Sequence, residues 1–92
     1  MKFSWNPQKA KTNLRKHKVS FEEAVTVFYD PLAKITTDPD HSDHEERLIL
    51  LGHSRHQKLL FVVHVLLESS ETIRIISARK ATLRERREFE KI

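Results

Sequence analysis

The sequence predicts a single α+β domain over residues 1–92, a small antiparallel β-sheet with helices packed on one face. Three observations carry this reading. Helix-start signals cluster toward the two ends of the chain, at Asn6-Pro7, at "SFEE" (20–23) and at "TLRE" (82–85). Between them lie short apolar runs rich in β-branched residues and broken by polar turns, the pattern of strands joined by hairpins. The 92 residues show no internal repeat, low-complexity tract or linker, so they suit one core of moderate size.

The elements follow in order. "KFSW" is a short strand. Asn6 caps a helix that runs from about residue 7 to 16, and Pro7 suits its first position, where an N–H would be unpaired anyway. Ser20 and Glu23 have capping-box spacing, with Val19 and Ala24 placed as a hydrophobic staple. The helix they open carries Phe21, Ala24, Val25 and Phe28 at helical spacing and ends near Asp30-Pro31. Three or four strands follow. "AKITTD" alternates, whereas "RLILLG" and "KLLFVVHVLLE" are apolar on both faces, as central strands are. "RHQK" and "SSE" read as hairpin turns, and "TIRIISARKA" is the last strand. Thr82 and Glu85 make a second capping box at the head of a charged helix, "LRERREFEKI". The order is β-α-α-β-β-β-α, with one further strand if "AKITTD" is counted.

Composition narrows the functional classes. The chain has no cysteine, which removes disulfides and thiolate metal sites and suits a reducing cytosol. No apolar run approaches the roughly 18 residues of a membrane span, and the N-terminus lacks a secretory apolar stretch. A cytoplasmic protein with no membrane contact is expected. The net charge of +4 conceals a pattern: residues 1–21 sum to +6, residues 22–46 to −7 and residues 47–92 to +5. Two basic ends around an acidic middle suit a basic face for a polyanion, nucleic acid first. A merely solvated surface fits the same numbers.

Two groups of residues invite chemistry. Lys9, Asn13 and His17 recur every four residues and so form one stripe on the first helix. Imidazole exchanges protons near neutrality, so His17 is a candidate acid–base. In the alternative reading, Asn13 and His17 satisfy backbone groups where the helix ends. The last strand holds Arg74, Arg79 and Lys80, whose neighbours would otherwise make it oily. Regular alternation sends Arg74 and Lys80 to one face, and Ser77 and Arg79 to the other, unless a bulge intervenes. Arg47 opens its own strand and Arg55 lies in a turn. Ion pairing with Glu45, Glu46, Glu68 or Glu85 is one explanation; a groove for phosphate, which guanidinium grips bidentately, is the other.

Other features carry less. "DPDHSDHEE" holds acids and two histidines, but lacks the fixed geometry a metal site needs, so no metal is expected. His64 interrupts a central strand and reads as a satisfied core histidine. Trp5 and Phe3 read as core, although an exposed Trp5 would stack on a base. No P-loop, GxGxxG or nucleophile elbow is present, and no cofactor is expected.

Taken together, "FSWNPQKAKTNLRKHKVSFEEAVTVFYDP", "HSDHEERLILLGHS" and "IRIISARKATLRERREFE" resemble the BrnT family of bacterial type II toxins over essentially the whole chain. Trp5, Lys9, Ala10, Asn13, Lys16, His17, Ser20, Phe21 and Asp30-Pro31 match the opening motif. Arg74, Ile75, Ser77, Arg79, Ala81, Thr82 and Glu85-Arg86 match the closing one. Lys18 departs from a usual glycine. The resemblance implies a RelE-like fold and a ribonuclease that arrests translation. It also implies a hetero-oligomer with a BrnA-like antitoxin, whose ribbon-helix-helix domain alone would meet operator DNA. It places Lys9, His17, Arg47 and Arg79 at the site, with Arg74 and Ser77 beside them; Asn13, Arg55 and Lys80 complete the expected RNA contacts. Metal-free cleavage would use His17 for proton transfer and Arg79, Arg47 and Lys9 for the phosphate, leaving 2′,3′-cyclic phosphate and 5′-hydroxyl ends. A non-catalytic basic module that docks nucleic acid or protein is the alternative. A third possibility is a basic surface that chiefly seats an acidic antitoxin segment, with the last helix (Phe89, Ile92) serving the docking.

Overall fold

The computed structural model describes residues 1–39 and 46–91. The elements run β1 (Lys2–Ser4), α1 (Pro7–His17), α2 (Phe21–Val27), β2 (Lys34–Thr37), β3 (Leu48–His53), β4 (Leu59–Leu67), β5 (Thr72–Lys80) and α3 (Leu83–Glu90), with one 3₁₀ turn at Glu68–Ser70. The five strands form one sheet in the order β1-β5-β4-β3-β2. "AKITTD" is thus a strand in its own right.

The sheet is mixed, not wholly antiparallel as expected. β2 through β5 pair antiparallel, but β1 lies parallel to β5, with Phe3 opposite Ile73. Two helices separate β1 from the rest of the sheet, so no hairpin constrains its direction. α1 and α2 cover one face. There Val19, Phe21, Ala24 and Val27 meet Leu50, Leu60, Val62, Ile73, Ile75 and Ala78 in a single core. α3 departs from the one-face expectation. It lies against Ile49, Leu51 and Phe61, which alternate with the core residues of β3 and β4 and so point the other way.

The α1–α2 junction shows how local chemistry sets these positions. Asn6 Oδ1 accepts from the N–H groups of Gln8 (2.8 Å) and Lys9 (3.3 Å). α1 ends at Lys18, which is left-handed (φ 61°) while its N–H still reaches the Leu14 carbonyl at 2.9 Å. Glycine is the usual occupant of such a C-terminal position, because a Cβ is crowded there. Ser20 Oγ accepts from Glu23 N–H as expected, but the box is only half made. The buried Glu23 carboxylate instead accepts from Ser54 Oγ at 2.7 Å, tying α2 to the β3–β4 turn.

One irregularity matters most. Val63 pairs with Ser77 and His64 with Ile75, so Ile76 has no partner on β4 and β5 carries a bulge. The extra residue shifts the alternation of everything after it. Ile75 and Ala78 both reach the core, and Arg74 and Arg79 both fall on the opposite face.

Candidate active site

β1 covers β5 only as far as Arg74, so from the bulge onward that edge of β5 has no strand beside it. α1 closes the gap through one side chain. Asn13 Oδ1 accepts from Ala78 N–H (3.1 Å), while its Nδ2 donates to the carbonyls of Ala78 (2.8 Å) and Val19 (3.0 Å). The amide imitates a neighbouring strand and, at 6 % exposure, is the one buried residue of the helix. Both donors are committed to the fold. Asn13 therefore holds the site together and has no spare N–H for the RNA contact expected of it.

The stripe pinned by Asn13 opens onto a groove of about 320 Å³ between α1 and the bulge. Lys9 and His17 line it from either side of Asn13, and Ser77 lines it from β5. Lys16 and Thr12 join them from α1, and Ile76 from the bulge. Among the described residues no acid lines this groove, and Lys9, Lys16 and His17 make no ion pair and no side-chain hydrogen bond. Two lysines without a carboxylate partner among the described residues, beside an imidazole in a partly open cleft, suit an anion. Reading α1 at i+4 alone missed Lys16 and Thr12. Lys16 is i+7 from Lys9 and Thr12 is i+3, so the wider helical repeat would have found both.

The arginines are elsewhere. Arg79 clasps Glu85 with both arms (Nη1–Oε1 2.8 Å, Nη2–Oε2 2.9 Å) and stacks 4.0 Å above the Phe61 ring. These bonds raise the Arg79 pKa and hold the Glu85 carboxyl below the usual range, the Thr82 N–H adding to the second effect. Glu85 is also the reciprocal member of the Thr82 capping box, so ion pair and cap form one clamp at the base of α3. Of the partners considered for the arginines, Glu85 is thus real, and Arg79 does not line the groove with His17. Arg47 immediately precedes β3, which β4 separates from β5. Arg74 is exposed on the outer face near β1, and Lys80 is exposed at the end of β5. Arg55 borders a different cleft, beside Tyr29, Asp30 and His53. In that cleft burial pushes the Asp30 carboxyl up, but N–H donors from His53 and Leu32 outweigh it and hold it below its ordinary value.

The secondary candidates divide in the same way. His64 is 2 % exposed and meets Phe28 edge to face, and burial pushes its imidazole below the usual value. It is a core group. Trp5 packs edge-on against Phe21 and belongs to the core margin. Most of the acidic loop, residues 40–45, falls outside the described residues, as does Ile92. Among the described residues, no three His, Asp or Glu side chains are grouped to hold a metal, and no helix is long and apolar enough to cross a membrane.

A family model described as "Ribonuclease toxin, BrnT, of type II toxin-antitoxin system" matches residues 5–85. This chain belongs to the BrnT family. The BrnT fold is likewise found in the crystal structure of the Brucella abortus ribonuclease toxin, BrnT. That structure superposes with a TM-score of 0.65 at 25 % identity, covering 89 % of this chain and 97 % of the Brucella one. No curated protein sequence matches the chain. The resemblance read from the two motifs is therefore a family membership, and membership of a type II toxin–antitoxin family implies an antitoxin partner. Lys9, Asn13, Lys16, His17 and Ser77, all carried by those motifs, meet in the α1–β5 groove.

Proposed function

We propose that this BrnT chain is a metal-independent endoribonuclease whose reaction takes place in the α1–β5 groove. The observation that carries the reading is the His17 imidazole set in an open cleft beside Lys9 and Lys16, which have no carboxylate partner among the described residues. RNA brings its own nucleophile. His17 accepts the proton of a 2′-hydroxyl as that oxygen attacks the adjacent phosphorus, and the protonated ring returns it to the departing 5′-oxygen. The products are a 2′,3′-cyclic phosphate and a 5′-hydroxyl. Lys9 and Lys16 stabilise the charge that builds on the phosphorane oxygens, and Ser77 supplies a hydroxyl donor at the bulge. Arg79 joins this scheme only by exchanging the Glu85 carboxylate for a phosphate in the same bidentate fork. Arg47, Arg55, Arg74 and Lys80 lie outside the groove and serve a longer RNA strand through its phosphates. The cleaved RNA would be that used in translation. Neutralisation would fall to a BrnA-type antitoxin with a ribbon-helix-helix domain, through which alone the pair meets operator DNA.

The test is cleavage of a defined RNA by purified protein in excess EDTA. Activity should persist. His17→Ala should lower the rate by about 10²- to 10⁴-fold, the usual contribution of a general acid–base, with an unchanged melting temperature. Cleavage that stops on chelation, or survives in His17→Ala, refutes the scheme.

A further inference from the structure

On the sheet face opposite α1 and α2, a second groove of about 310 Å³ lies between α3 and strands β2 to β4. Ile49, Leu51 and Phe61 form its floor and Phe89 a wall, so its lining is almost wholly apolar. α3 does not seal it. The helix has no buried residue, and its Leu83 is 64 % exposed. It is held by the Arg79–Glu85 clamp, by Lys34 Nζ donating to the Phe89 and Lys91 carbonyls (2.7 and 2.8 Å), and by the edge of Phe89 on His53. An apolar trough left open beside an edge strand is a place for another chain.

Charge at the rim says which kind. Both rim carboxylates are spent internally, Glu85 on Arg79 and Glu88 on Lys91 at 3.1 Å. The two rim cations are not. Arg84 has no ion pair among the described residues, and Lys34 is held by two carbonyls and the Phe89 ring, with no carboxylate partner among those residues. An oily floor between two such cations fits a segment that carries apolar side chains flanked by carboxylates. A nucleic-acid strand could stack bases on the two rings but would leave the aliphatic floor of Ile49 and Leu51 unmatched.

We infer that this groove seats the antitoxin, through an acidic amphipathic segment whose apolar side chains lie on Ile49, Leu51 and Phe61 and whose carboxylates meet Lys34 and Arg84. The inference rests on the toxin reading only for the existence of that partner. It places neutralisation on the sheet face opposite α1, which with β5 builds the proposed catalytic groove, so binding and cleavage are separable by mutation.

Two full-chain variants test it by titration calorimetry against the whole antitoxin encoded with this chain. Thr36→Trp plugs the groove from the exposed edge strand β2, and Arg84→Glu reverses the rim charge on exposed α3. Each should weaken binding at least tenfold, with an unchanged circular dichroism spectrum. Arg84→Glu should also flatten the salt dependence of binding, and Thr36→Trp should cut RNA as well as the parent when the antitoxin is absent. Wild-type affinity in both folded variants overturns the inference. So does a toxin dimer that Thr36→Trp dissolves while antitoxin affinity is unchanged, because the groove then belongs to a second copy. Tight, groove-dependent antitoxin binding by a chain that cuts no RNA would refute the nuclease proposal and leave this one intact.

Discussion

Strand β5 serves two basic regions that differ in a single respect. Where it faces α1, Lys9, Lys16 and His17 gather with no acid beside them among the described residues, and the polar group that is fully used, Asn13, is uncharged. Where it meets α3, Arg79 is held by the Glu85 carboxylate, the Phe61 ring and the Lys80 carbonyl. The first region leaves its charge open to an incoming anion; the second spends its charge on holding a helix. Counting cations along the chain treats the two alike. Following each cation to its partner separates them.

The contrast breaks first at Asn13. Asn13→Leu keeps the volume but strands the Ala78 N–H and the carbonyls of Ala78 and Val19 at a buried edge. Each orphaned group costs about 1–3 kcal/mol, so the fold should lose about 3 kcal/mol or more, read from urea denaturation. A loss under 1 kcal/mol would mean that α1 is positioned by something other than the amide.

The α3 side should answer to pH. Glu85→Gln keeps the capping oxygen and removes the charge that Arg79 grips. The Glu85 carboxyl is held below its ordinary value in the folded state, so its stabilisation is complete above the unfolded-state value and lost as pH falls through the folded one. Glu85→Gln should therefore cost about 1 kcal/mol at pH 7, a modest figure because the pair is partly open to solvent. The difference from the parent should vanish on acidification below the usual carboxylate range. A pH-independent difference would show that the clamp is steric and not ionic.

The smallest effect is at Lys18. Lys18→Gly removes the Cβ from a left-handed residue and should stabilise the protein by about 0.5–1 kcal/mol, seen as a higher melting temperature. Destabilisation instead would mean that the lysine side chain makes a compensating contact near the groove mouth.

Much of this architecture was legible in the sequence because it rests on local chemistry. Asn6, Ser20 and Thr82 accept from the first turns of the helices they were read to cap. The four long apolar or alternating runs are β2 to β5. What stayed hidden depends on partners distant in the chain. Asn13 reads as a polar member of a stripe, and nothing local shows that Ala78, 65 residues away, takes its amide. Glu23 reads as a capping residue until Ser54 arrives beside it. Glu85 reads as a cap and is one, but the same carboxylate also closes on Arg79. The bulge at Ile76 leaves no mark in the spacing of "IRIISARKA", yet it decides that Arg74 and Arg79 share a face. Family motifs name residues without saying which of them meet, and only the three-dimensional contacts divide Lys9, His17 and Ser77 from Arg79.

Backbone amide shifts of the labelled protein, titrated with an RNA oligonucleotide made uncleavable by a 2′-deoxy substitution, would locate the bound phosphate most directly. Perturbations should concentrate at Lys9, Lys16, His17 and Ser77, with Arg79 and Glu85 little moved. Shifts centred on Arg79 and α3, with the α1 amides silent, would put the RNA in the other basic region and remove His17 from the chemistry.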